Sequence, residues 1–216
     1  MKQILCFGDS NTWGHDPCND GKRFSFDKRW TGIVTKYLGD GFSVQEEGLC
    51  GRTTVFEDPF DPYLCSKDSL PVILRTHCPI DLVILMLGTN DIKQYFHADI
   101  SAITQGIETL LQMIQKPEFS QGYPAAQILL ISPILIGEQI ADSPFGELFD
   151  GRHAYQLSLK LAKAYQKTAQ KFHCHFLNAA EYAQPSAKDC LHLDSAGHAA
   201  LAKAIGAEVK KIFSKT

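Results

Sequence analysis

No apolar run in the chain is long enough for a membrane helix. The longest, Ile128 to Gly137, is interrupted by Ser132 and Pro133 and falls far short of the roughly 18 apolar residues that a bilayer core demands. The first run, Ile4 to Phe7, is broken at once by Gly8 and Asp9, which is too short for the hydrophobic region of a signal peptide. Neither membrane insertion nor export is expected. Paired cysteine spacing is missing too. Cys6, Cys18, Cys50, Cys65, Cys78, Cys174 and Cys190 form an odd set without a CxxC motif, so a disulfide framework is not indicated. Thiols in apolar segments behave as small hydrophobes, and a reducing, cytoplasmic compartment is the expected home.

A dominant charge is also absent. The 24 acidic and 21 basic side chains leave a formal net charge of -3 and are mixed along the chain without a basic stripe, so nucleic acid is not an expected partner. No internal repeat, low-complexity segment or domain boundary interrupts the sequence. Residues 1–216, 44% hydrophobic, therefore read as a single domain with a substantial core.

What is present is alternation. Short apolar runs near Gln3–Phe7, Phe42–Gln45, Leu82–Leu87, Gln127–Ile131 and His175–Leu177 predict strands. Between them, apolar residues at three- and four-residue intervals predict helices over Trp30–Leu38, Leu70–His77, Ile100–Gln115, Ala154–Phe172 and Ser195–Phe213. Five strands with intervening helices imply an α/β fold, a parallel sheet covered on both faces. Two connections are long for such a domain, Asp9 to Lys28 and Ile134 to Gly151, and both follow the carboxyl end of a strand, where open α/β sheets bind ligands. Packing on a neighbouring subunit is an equally reasonable use for them.

Ser10 follows the first predicted strand, so its hydroxyl is expected to face a cleft at the sheet's edge. It is not set in a GxSxG elbow, because Asn11 and Thr12 follow it. Near the other end, Asp189 stands three residues before His192, close enough to grip its imidazole in one turn. These are the parts of a Ser-His-Asp acyl-transfer apparatus. The neighbouring Asp194 and His198 compete for the roles, but Asp194 immediately precedes the last helical pattern and reads as its N-cap, which leaves His198 structural or supporting. Oxyanion donors are available in two other strand-end loops: the N–H of Gly51 and the side-chain amide of Asn90, with the N–H of Ser10 as a third. Asp9 and Asp91 read as loop-stabilising acceptors. His173-Cys174-His175 has no partner at a recognised ligand spacing, so no metal and no other cofactor is expected.

Gly8-Asp9-Ser10, Gly51, Gly88-Thr89-Asn90-Asp91 and Asp189-Cys190-Leu191-His192 occur in the order of the blocks of the GDSL/SGNH hydrolase superfamily, which the chain resembles from Ile4 to about His198. The likeness is closer to the bacterial arylesterase/acyltransferase branch in Trp30-Thr31-Gly32, Glu46-Glu47-Gly48-Leu49, Arg52-Thr53-Thr54, Asp58-Pro59 and Thr89-Asn90-Asp91-Ile92-Lys93. It implies a three-layer α/β/α, flavodoxin-like fold with Ser10 as nucleophile, His192 as base, Asp189 as its orienter, and an oxyanion hole of Ser10, Gly51 and Asn90. It also implies a homo-oligomer, for which the 134–151 loop with Phe145 and Phe149 is the expected contact. The chain departs from the pattern at Asn11, where the eponymous motif has Leu, and at His15, where a bulky aromatic is expected and a polar ring argues for hydrolysis over acyl transfer. The expected substrate is a small short-chain or aryl ester. The alternatives are a carbohydrate O-deacetylase, with Trp13 and Tyr95 as nearby platforms for a sugar ring beside His15, and a non-catalytic ligand-binding domain.

Overall fold

The computed structural model describes residues 1–214. Five parallel strands form one sheet: β1 (Lys2–Gly8), β2 (Phe42–Gly48), β3 (Leu82–Met86), β4 (Gln127–Ser132) and β5 (His175–Asn178), in the spatial order β2-β1-β3-β4-β5. That is the flavodoxin-like order, with its topological switch between β1 and β3.

Side-chain alternation assigns each strand to two cores. Leu5, Phe7, Val83, Leu85, Ile128 and Leu130 face one side, while Ile4, Cys6, Leu82, Ile84, Leu129 and Ile131 face the other. The first side is covered by α3 (Ser66–His77), α4 (Ile100–Gln115) and α5 (Gly151–Lys171), the second by α2 (Trp30–Leu38) and α6 (Ser195–Ser214). The predicted three layers are present. On α4 the buried face is Ile103, Ile107, Leu110, Leu111 and Ile114, each contributing roughly 1.5–3 kcal/mol by leaving water.

Three local readings are corrected by the structure. The third helix begins at Ser66 rather than Leu70, although Pro71 lies inside it. Pro71 removes a hydrogen bond from the helix, but the Ser66 and Lys67 N–H groups donate to the Thr53 and Thr54 carbonyls, anchoring the first turn to the loop after β2. The Asp9–Lys28 connection opens with a one-turn helix, α1 (Ser10–Trp13), closed by Gly14 in the left-handed conformation. The 134–151 loop turns its apolar residues inward: Ile140 and Phe149 are 0% and 1% exposed in the core, and Phe145 packs against His15 and His192. Phe149 is therefore buried where it was expected to be exposed, while Phe145 is half-buried.

Candidate active site

The carboxyl ends of β1, β2 and β3 converge at the switch point, and the loops leaving them are knit together by hydrogen bonds. Gly8 C=O accepts from Leu49 N–H at 3.1 Å and from Arg52 Nη1 at 2.9 Å, while Asn90 Nδ2 donates to Arg52 C=O at 3.1 Å. Thr54 donates its N–H to Asp91 at 3.0 Å and also its hydroxyl. Close approach is possible because position 48 is glycine: a Cβ there would lie 2.2 Å from the Trp13 nitrogen.

Ser10 is the first residue of α1. Asp9 caps that helix by accepting from Asn11 N–H at 3.0 Å. Burial pushes the Asp9 carboxyl up to about 6, and burial does the same for Asp91. The Ser10 and Gly51 N–H groups have no acceptor among the described residues, and Gly51 holds φ at +82°, a left-handed turn that suits glycine. Asn90 spends one amide hydrogen on Arg52 and retains a second.

The structure brings Ser10, His192 and Asp189 into one chain of hydrogen bonds. Ser10 Oγ lies 2.8 Å from His192 Nε2, and His192 Nδ1 lies 2.7 Å from Asp189 Oδ2. All three residues are buried. Asp189 Oδ1 also accepts the N–H groups of Leu191 and His192, both at 3.0 Å. Burial opposes charge on Asp189, but the His192 ring and these N–H groups prevail and hold the carboxyl below its ordinary value. Asp189 is thus an ionised acceptor that holds the ring at Nδ1 while Nε2 is turned to the Ser10 hydroxyl.

The competing pair does something else. Asp194 Oδ1 accepts Gly197 N–H at 2.8 Å, capping α6. His198 is fully buried, accepts the Trp30 N–H at Nδ1 at 3.2 Å, and meets Phe24 edge-on.

Of the three residues expected to touch substrate, His15 stacks its ring on His192. Trp13 lies under the Arg23 guanidinium, 5.4 Å from its ring centre. Tyr95 donates its hydroxyl to Asp58 at 2.6 Å and packs against Phe60 and Phe96, while Lys93 pairs with the same carboxylate at 3.0 Å. His15, Asp189 and His192 are also the one group of potential metal ligands among the described residues, their donor atoms within 4.8 Å of one another. Stacked rings direct their in-plane lone pairs side by side rather than toward one point, and both His192 nitrogens are already engaged. The arrangement suits proton transfer better than ion binding.

Sequence reasoning missed Asn11, which it treated only as a departure. Its side chain reaches the loop of His192. A small amide in the first turn after the serine was the available signal.

Residues 6–200 match the sequence profile of the GDSL-like lipase/acylhydrolase family. The chain belongs to that family. Solved structures agree: it is similar to the aryl esterase of M. smegmatis, with 37% identity, coverage of 98% of this chain and 99% of that one, and a TM-score of 0.91. A carbohydrate acetylesterase from Sinorhizobium meliloti is similar at 34% identity, with coverage of 98% and 100% and the same TM-score of 0.91. No curated protein matches the sequence. Family membership makes the protein a carboxylic ester hydrolase of the SGNH fold.

Proposed function

We propose that Ser10, His192 and Asp189 are the catalytic triad of an esterase acting on small aryl or short-chain esters. The observation that carries this is the buried chain Ser10 Oγ–His192–Asp189, with separations of 2.8 and 2.7 Å. Ser10 Oγ attacks the ester carbonyl while His192 Nε2 takes its proton, and Asp189 stabilises the imidazolium. The N–H groups of Ser10 and Gly51 and the Asn90 amide hold the oxyanion. His192 then protonates the leaving alkoxide, and water attacks the acyl-enzyme with the same ring as base.

The substrate class rests on the surroundings. A cleft of about 400 Å³ beside Asp189, with a mixed lining that includes His15, Cys18, Asp20, Phe145 and Lys188, has room for a small acyl or aryl group. A carbohydrate O-deacetylase is the second reading, favoured by the likeness to the S. meliloti acetylesterase. The Trp13 ring is engaged by Arg23, and Tyr95 by Asp58, Phe60 and Phe96.

In this reading the chain is one domain built on the single sheet, it works in a reducing cytoplasm where its seven free cysteines persist, and it needs no metal or organic cofactor. Self-association would use Phe60 and Tyr63, 80% and 82% exposed. No helix among the described residues is long and apolar enough to cross a membrane.

The test is p-nitrophenyl acetate hydrolysis by the wild type and Ser10→Ala, with circular dichroism to show that both fold. Activity should vanish in the variant, and a covalent serine probe should label Ser10. Equal rates would remove Ser10 as nucleophile. Faster acetate release from acetylated xylan than from aryl acetates would favour the second reading.

A further inference from the structure

The short segment that carries His192 has its backbone fully accounted for. Cys190 N–H donates to Ser186 C=O at 2.8 Å, Cys190 C=O accepts from Gly137 N–H at 2.7 Å, and His192 C=O accepts from Ser186 N–H at 2.7 Å. The N–H groups of Leu191 and His192 go to Asp189 Oδ1. Two groups remain, the Leu191 C=O and the Leu193 N–H, one on either side of His192. Both are met by the Asn11 side chain: Nδ2 donates to Leu191 C=O at 3.3 Å, and Oδ1 accepts from Leu193 N–H at 2.9 Å. Asn11 is 3% exposed, and its own N–H is pinned by the Asp9 carboxylate.

Among these ties only Asn11 belongs to the element that carries Ser10; the others come from Gly137, Ser186 and Asp189. A primary amide supplies one donor and one acceptor in fixed relation, which is what a C=O and an N–H flanking a single residue require. A Leu side chain could fill the space but would leave both groups without partners, and an ionised Asp would set a negative charge against the Leu191 carbonyl.

We propose that Asn11 is a positioning residue that sets His192 against Ser10 across the fold, an inference that rests on the triad assignment above. It touches backbone rather than reacting atoms. Its effect is therefore on turnover, because a displacement of about 1 Å in a reacting group costs on the order of 10²-fold.

The experiment compares the wild type with Asn11→Ala and the near-isosteric Asn11→Asp, using p-nitrophenyl acetate at alkaline pH, where the introduced carboxyl is ionised. In parallel, proton NMR follows the Nδ1–H resonance shared by His192 and Asp189, a readout independent of turnover. Both variants should lose roughly 10- to 100-fold in kcat with little change in KM, and the Nδ1–H line should shift or broaden. Wild-type kcat and an unchanged line in folded Asn11→Ala would overturn the proposal. Should that variant not fold, the same result in Asn11→Asp would overturn it. Failure of both to fold would also do so, by assigning Asn11 to general stability rather than to one histidine. Activity that survives Ser10→Ala would instead sink the triad, leaving the NMR comparison still able to judge Asn11.

Discussion

His15 lies face to face with His192, their ring centroids 3.8 Å apart and their planes 21° from parallel. Burial, followed by the charge of His192, lowers the His15 pKa to about 4, so near neutrality His15 presents an uncharged ring to the candidate base. Phe145 closes over the same ring edge-on, its centroid 5.2 Å from that of His192. One polar and one apolar ring thus flank the candidate base.

That flank has a consequence for what attacks the acyl-enzyme. His15 can hold water at the cleft, whereas an apolar ring would favour an alcohol. His15→Phe should keep ester hydrolysis within about tenfold while raising the yield of transfer product when a primary alcohol is present. The ratio of new ester to free acid, read by chromatography, checks this. An unchanged ratio would mean that the polarity of position 15 does not govern the choice between water and alcohol.

Asn90 is tied to the neighbouring loop by one amide hydrogen and has the other to offer. Its removal should therefore weaken the oxyanion site without dismantling the triad. Asn90→Ala is expected to lose on the order of 10²–10³ in kcat, the usual cost of one oxyanion donor. Steady-state kinetics on a folded variant decides it, and a loss of only a few fold would exclude Asn90 from the site.

His198 makes a prediction about stability rather than rate. Burial outweighs the opposing pull of Asp194 and, with smaller contributions from the charges of His192 and Arg29, lowers its pKa from 6.5 to about 4. Between those values the unfolded chain binds a proton that the folded one refuses, so this residue's contribution rises as pH rises from about 4 to 6.5. Asp9 and Asp91, raised from 3.8 to about 6, act in the opposite sense over nearly the same window, because the folded state keeps protons that the unfolded state releases.

His198→Asn, which preserves an acceptor for the Trp30 N–H, should remove the rising contribution. The unfolding free energy at pH 7.5 minus that at pH 4.5 should then fall by up to about 3 kcal/mol relative to the wild type, whatever the sign of the wild-type difference. Urea denaturation at the two pH values measures it. Equal differences in the two proteins would show that His198 is not held neutral by the fold.

Much of this molecule was legible along the chain because its signals are local. Leu82–Met86 is buried on both faces, so an unbroken apolar run announced a central strand. Asp189 and His192 meet within one turn, so three residues of spacing sufficed to pair them. Asp194 was legible as a cap for the same reason. Other features were not. The inward turn of Phe149, the start of α3 at Ser66 despite Pro71, and the engagement of Tyr95 by Asp58 depend on partners remote in sequence.

Sequence by itself determined the order of elements, the parallel sheet, the family and the identities of the candidate serine, histidine and aspartate, since hydrophobic period and short-range spacing are properties of neighbouring residues. Only the tertiary structure decided that Asn11 spans the gap to the His192 loop, that His15 stacks on the base while Trp13 and Tyr95 turn to other partners, and that the 134–151 loop folds inward. The physical reason is that a buried donor or acceptor must find a partner wherever the packed chain brings one, and no local pattern records which distant residue that will be.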